Sequence, residues 1–164
     1  MADRFISETI YQIFLSSPSY HRWHAPISGK IVKSYIINGT YYSEPLFTGT
    51  TNPHNNHTHI DGVDIVTAET YLTFMVTRTV ISIEADDPSI RTVAFVGIGM
   101  AEVSTCDITV KEGQHVKKGE QLGMFHYGGS THCLLFENAV NATGFPEKGG
   151  EWNVSVRGEL VVVQ

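Results

Sequence analysis

Beyond residue 20 the chain is cut into short runs of β-branched and aromatic residues, each closed by a turn former before a helix could grow. Thr77-Arg78-Thr79-Val80-Ile81-Ser82-Ile83-Glu84 alternates branched and polar residues, the period-2 pattern of a half-buried strand. Lys30–Ile37 carries IVKSYII up to the turn pair Asn38-Gly39. Arg91–Met100 is more continuously apolar, as in a strand buried on both faces. Further strands are expected within Tyr71–Ala85, Val103–Val110, Gln121–Tyr127, His132–Glu137 and Trp152–Val163. Helical spacing occurs in one place, where Phe5, Ile6, Ile10, Ile13, Phe14 and Leu15 precede Pro18. The expected fold is therefore mainly β: a compact sandwich or barrel of short strands with one short N-terminal helix. At 164 residues it is expected to form a single domain over 1–164. Thr48–His59, rich in Asn, Thr and His, reads as a surface loop.

Charge excludes one class of partner. With eleven Lys and Arg against seventeen Asp and Glu, the net charge is −6, so the chain lacks the clustered cations that phosphate neutralisation needs, and no nucleic acid is expected. No apolar run approaches the roughly 18 residues of a membrane-spanning helix, so no integral membrane segment is expected. The start, MADRFISETIYQIFLSSPSY, has neither a basic head nor an unbroken apolar run, which argues against a secretory signal and for a cytoplasmic protein. Cys106 and Cys133 fit buried thiols in a reducing compartment rather than a disulfide framework or a thiolate zinc site.

Seven of the eight histidines gather in three places. In Tyr20-His21-Arg22-Trp23-His24-Ala25-Pro26, His21 and His24 lie three apart and Pro26 ends the segment. In the segment from His54 to Asp64, His57 and Asp61, or the pair His57 and His59, have spacings that can chelate zinc. No further His-x-His pair follows downstream, so a solvated loop is the reading and no metal is expected. In His126-Tyr127-Gly128-Gly129-Ser130-Thr131-His132, Gly-Gly-Ser-Thr is either a tight hairpin turn or a site of backbone chemistry. A glycine before a serine leaves its carbonyl open, so Ser130 Oγ could attack the Gly129 carbonyl if a base takes the hydroxyl proton.

Taken together, these segments resemble a known family. YHRWHAP followed by Gly29 is similar to the YHRxHxP…G signature of the phosphatidylserine decarboxylases. VKEGQHVKKGEQLGMFHYGGSTHCLLFE, from Val110 to Glu137, resembles that family's GxxVxKGxxLGxFxxGSTxxLLFE segment, and the stretch from Val96-Gly97 to Ser104-Thr105 resembles its VGxxxVxxI strand pair. The Trp of YHRWHAP and the Gly-Gly-Ser are similar in particular to a soluble fungal branch that decarboxylates aromatic amino acids.

The resemblance implies a self-processing enzyme. Cleavage between Gly129 and Ser130 would give a β chain of residues 1–129 and an α chain of residues 130–164 whose first residue becomes a pyruvoyl group. That group serves as electron sink for the departing carboxylate, with no diffusible cofactor. By the family pattern His24 activates Ser130, and His21 orients the substrate or returns a proton. Trp23, Phe125 and Tyr127 are candidates to stack on an aromatic small-molecule substrate, or are core. The substrate class implied is an amino-acid type: an aromatic amino acid or phosphatidylserine.

The family pattern also holds an aspartate N-terminal to YHRxHxP that orients the base histidine. Here the sole aspartate ahead of Tyr20 is Asp3, with Asp61 and Asp64 as substitutes. The chain accordingly reads as a fragment or short gene product, or as one in which another carboxylate serves, or in which cleavage is slow or absent. The alternative is an unprocessed homologue with another role in secondary metabolism. A sheet face left bare without the family's helical layer points toward a homodimer.

Overall fold

The computed structural model describes residues 2–6, 9–15, 18–41, 71, 73–100, 105–126, 130–137, 140–146 and 154–164. A single 3-10 turn, Ala2–Phe5, leads into β1, Ile10–Leu15. Then follow β2 (Arg22–His24), β3 (Gly29–Ile37), β4 (Arg78–Ala85), β5 (Thr92–Gly99), β6 (Thr105–Ile108) and β7 (His115–Val116). The described chain ends with β8 (Gln121–His126), β9 (Ser130–Phe136), β10 (Ala142–Thr143) and β11 (Val162–Val163).

Every named strand pair is antiparallel. A six-stranded sheet runs β1-β9-β5-β4-β3-β7, a three-stranded sheet runs β2-β8-β6, and β10 pairs β11. The two larger sheets enclose one core. Ile31, Ile81, Ile83, Val93, Phe95, Leu134 and Phe136 from the first meet Trp23, Cys106, Leu122 and Phe125 from the second. On the opposite face of the large sheet, Ile98 and Cys133 form a second cluster with Val76 and Met100, joined by Val96 and Leu135. Central strand β5 is thus buried on both faces, as its apolar run predicts.

The expected N-terminal helix is corrected: its segment holds only the 3-10 turn, and residues 10–15 are a strand. Ile10, Ile13 and Phe14 satisfy a helical period by coincidence. Tyr11, Ile13 and Leu15 satisfy a strand period as well, and the free edge of β9 decides between them. All six residues of β1 find partners there, from Ile10 opposite Leu135 to Leu15 opposite Ser130. A ladder of that length outweighs the weak helix propensity of branched and aromatic residues. Two other elements are shorter than expected. β4 begins only at Arg78. Between Val154 and Val161 the chain is irregular, turning where Gly158 N–H bonds Ser155 O, and it contributes just β11 to a sheet.

Two glycines explain local packing. A Cβ on Gly29 would run into the Glu84 carbonyl of the neighbouring strand, so only glycine lets β3 and β4 approach there. A Cβ on Gly123 would meet the Asp107 carbonyl and would lie 2.7 Å from the Trp23 ring, which covers β8 at this point. Neither backbone nor buried indole can retreat. Gly123→Ala is therefore expected to destabilise the fold by about 2 kcal/mol or more, read as a lower urea midpoint at unchanged slope.

Candidate active site

The strands that flank the Gly-Gly-Ser-Thr motif do not pair with each other as a hairpin. β8, which ends at His126, belongs to the three-stranded sheet, whereas β9, which begins at Ser130, lies between β1 and β5 in the six-stranded one. The chain changes sheets at this motif. Alternation along β9 sends Leu134 and Phe136 into the core between the sheets and Cys133 to the other face. Ser130 and His132 share the parity of Leu134 and so face the inter-sheet core. Ser130 is fully buried and its Oγ has no hydrogen-bond partner among the described residues. An unpaired buried hydroxyl is destabilising, and such groups concentrate where chemistry is done.

β2 carries the first histidine cluster along β8 (Arg22 opposite Met124, His24 opposite Gln121) with an irregularity after Trp23. His24 Nδ1 lies 2.9 Å from the Gly119 carbonyl. A carbonyl only accepts, so Nδ1 carries the proton, and Nε2 accepts from the Tyr20 hydroxyl at 2.7 Å. Tyr20 also stacks on this imidazole at 5.6 Å. Arg157 Nη2 stands 3.4 Å from the same Nδ1, a cationic neighbour to a nitrogen already protonated. The group orienting His24 is thus a backbone carbonyl. His21 donates from Nδ1 to the Ser19 carbonyl at 2.6 Å and sets its ring edge-on to Phe125 at 6.5 Å. Neither histidine bonds Ser130 in this arrangement.

Trp23 and Phe125, candidates for substrate stacking, are both buried, 2% and 4% exposed, with rings T-shaped at 4.7 Å. Trp23 nonetheless borders a cavity of about 840 Å³. Ile13, Leu15, Phe95, Leu134 and Phe136 give it apolar walls, and residues 154–163 also line it. His24, Tyr20, Arg22, Lys118 and Arg157 also line it, as do Asp87 and Glu159. Tyr127, Gly128 and Gly129 lie outside the described residues, as do His57, His59, Asp61 and Asp64. Among the described residues no three His, Cys, Asp or Glu side chains group to hold a metal, and no helix is long and apolar enough to cross a membrane.

Two features escaped the sequence. His126 Nε2 sits 3.4 Å from Asp107 Oδ2, an imidazole–carboxylate pair created by the pairing of β6 with β8. His132 lines the cavity beside Trp23 and stacks on Phe95 at 5.3 Å. Its Nδ1 is buried without a hydrogen-bond partner among the described residues, and burial pushes its pKa down to about 4. The signal for His132 was its even spacing from Ser130, legible once the segment is known to be a strand. By contrast Cys106 is an inert core thiol, its pKa pushed up to about 12 by burial.

A model of the phosphatidylserine decarboxylase family matches residues 1–158. The chain is 43% identical over 150 residues to a protein named decarboxylase iboD from Amanita muscaria, covering 90% of this chain and 42% of that one. It is 42% identical over 132 residues to the L-tryptophan decarboxylase of Psilocybe cubensis, covering 80% and 29%. Against phosphatidylserine decarboxylase proenzyme 3 of Schizosaccharomyces pombe, identity is 32% over 146 residues, covering 89% and 13%. The chain therefore spans less than half the length of each of these relatives.

Proposed function

Because the chain belongs to the phosphatidylserine decarboxylase family, we propose that it carries the self-cleaving serine of a pyruvoyl-dependent decarboxylase acting on an amino-acid-type substrate. The observation that carries this reading is Ser130: buried, without a hydrogen-bond partner among the described residues, first in its strand and facing the inter-sheet core. In the proposed reaction Ser130 Oγ adds to the Gly129 carbonyl while an imidazole takes its proton, and the amide becomes an ester. β-Elimination, with loss of the residue-130 Cα proton and cleavage of its Cβ–O bond, then releases residues 1–129 as a carboxylate and leaves dehydroalanine at the head of residues 130–164; water would hydrolyse its imine tautomer, releasing ammonia and leaving a ketone. Such a pyruvoyl group at residue 130 would supply an electron sink for the leaving carboxylate. This chain's own residues supply the enclosure: apolar walls that exclude water, His24 held in one tautomer, and cations at Arg22, Lys118 and Arg157 that favour an anionic substrate. Two relatives named L-tryptophan decarboxylase support an aromatic amino acid over a phospholipid as substrate. Cytoplasmic residence and a homodimer belong to the same proposal.

Intact mass of the purified protein tests it. The expected result is two polypeptides, 1–129 and 130–164, the second beginning with a group that reacts with phenylhydrazine. One uncut chain after prolonged incubation would refute the proposal.

A second reading has its own observation. His24 bonds Tyr20 and Gly119 rather than Ser130, and no carboxylate touches it among the hydrogen bonds of the described residues. On this reading the chain is an unprocessed homologue with another role in secondary metabolism. Carbonyl reactivity toward borohydride or phenylhydrazine would eliminate it.

A further inference from the structure

We propose that Arg157 seats an acidic group that the ligand keeps: the cavity takes an amino acid carrying a second carboxylate, remote from the one that is lost. That the acid is a second one rests on the decarboxylase reading; the seat itself does not.

Arg157 fills a backbone position that suits another residue. Its φ is 62°, and Gly158 N–H bonds the Ser155 carbonyl at 2.8 Å, so Ser155–Gly158 is a turn with a positive φ at its third residue. Type II turns give that place to glycine, and here the glycine stands one residue later. Strain of this kind collects where a side chain is needed, as at ligand clamps. The side chain is directed accordingly. A Cβ on Gly119 would lie 3.7 Å from Arg157 Nε and 3.8 Å from Cδ, and Nη2 reaches to 3.4 Å from His24 Nδ1. Because Nδ1 already donates to the Gly119 carbonyl, it offers the guanidinium no lone pair. No carboxylate among the described residues pairs with Arg157, although Glu159 stands two residues on and lines the same cavity. A guanidinium fork is thus held at the cavity wall without an acceptor among the described residues.

Charge decides what it holds. Arg22, Lys118 and Arg157 line the cavity against Asp87 and Glu159, an excess of one positive charge. Asp87 is engaged by Ser89, accepting from its N–H at 2.9 Å and its hydroxyl at 2.7 Å. The ammonium and the scissile carboxylate of an amino acid cancel, so one further carboxylate matches the excess. A guanidinium takes such a group through two parallel bonds. The scissile carboxylate is the wrong occupant. Its charge leaves as the C–C bond breaks, and an ion pair would stabilise the starting state more than the transition state.

Binding of 2-naphthoate and 2-naphthamide tests the seat without cleavage or turnover, because the two share ring and size and differ in charge. Titrated into the purified chain and followed by fluorescence, naphthoate is expected to bind about tenfold more tightly. Arg157→Gln should erase the preference, and Arg157→Lys, a point charge without the fork, should keep part of it. Arg157→Gly should erase it too while leaving the urea midpoint unchanged or higher, since glycine relieves the turn. Equal affinity for both probes in the unaltered chain, or a preference that survives Arg157→Gln, would overturn the seat. So would a lower urea midpoint in Arg157→Gly, which would make the side chain a structural tie across Gly119. In the cleaved enzyme, Arg157→Gln should raise KM for an amino acid with a side-chain carboxylate far more than for its carboxamide analogue. Equal losses on the two would place Arg157 on the scissile carboxylate and overturn the second acid. An uncut, inactive chain that still prefers naphthoate would refute the decarboxylase reading and leave the seat standing.

Discussion

Ser130→Ala yields a single chain of full mass with no carbonyl group, and the same change makes the fold more stable. The two effects share a cause. Ser130 is 0% exposed and its Oγ has no partner among the described residues, so the native state carries a desolvated hydroxyl that water would otherwise satisfy. Removing that hydroxyl while leaving Cβ in place is expected to stabilise by about 1 kcal/mol, the penalty of an unmade hydrogen bond at the low end of its range. Cleavage and decarboxylation, in contrast, should be lost entirely, because alanine has no nucleophile and cannot become a ketone. Ser130→Cys should retain slow cleavage, since a thiolate can attack the same carbonyl. Intact mass reads the first effect, and the second is the urea midpoint of Ser130→Ala against that of the unaltered precursor before it cleaves. A Ser130→Ala protein that is markedly less stable would mean that Oγ makes a bond in the native state, removing the observation on which the reading of Ser130 rests.

The sequence made the strands legible where one face is buried and the other wet. Arg78–Ala85 alternates and is a strand; Thr92–Gly99 is apolar throughout and sits at the centre of the large sheet. It misled where a pattern fits two periods, as at Ile10–Leu15, because the deciding contact is the edge of β9 more than a hundred residues away. The site was legible in part for the same reason. His21, His24 and Ser130 stand out as residue types in a motif, and their local settings follow from short-range geometry. What could not be read is the sheet change between His126 and Ser130. Residue spacing alone is equally compatible with a hairpin, and only the pairing of β8 with β2 and β6 distinguishes the two. His132 was hidden with it. A histidine after Gly-Gly-Ser-Thr is unremarkable in a turn, but two places along a strand from a buried serine it becomes part of a cavity wall.

Trp23→Ala is expected to lose about 3 kcal/mol, a large share of the 5–15 kcal/mol that holds a domain together. Trp23 is 2% exposed, packs on Phe95 and Phe125, and lies over Gly123 where no side chain fits. It thereby ties the three-stranded sheet to the six-stranded one. Tryptophan-to-alanine changes in sealed cores run to about 5 kcal/mol, and two features here pull the value toward the lower end. One edge of the ring already borders the cavity, so the change enlarges an existing space as well as opening a new one. The indole Nε1 is buried without a partner among the described residues, so its removal also relieves a desolvation penalty. Trp23→Phe keeps most of the apolar area and loses the unpaired N–H, and should fall by less than half as much. Urea unfolding followed by near-ultraviolet circular dichroism measures both. A shift for Trp23→Ala smaller than that for Trp23→Phe, or under about 1 kcal/mol, would mean that the two sheets are held together elsewhere and that the aromatic wall of the cavity is not part of the core.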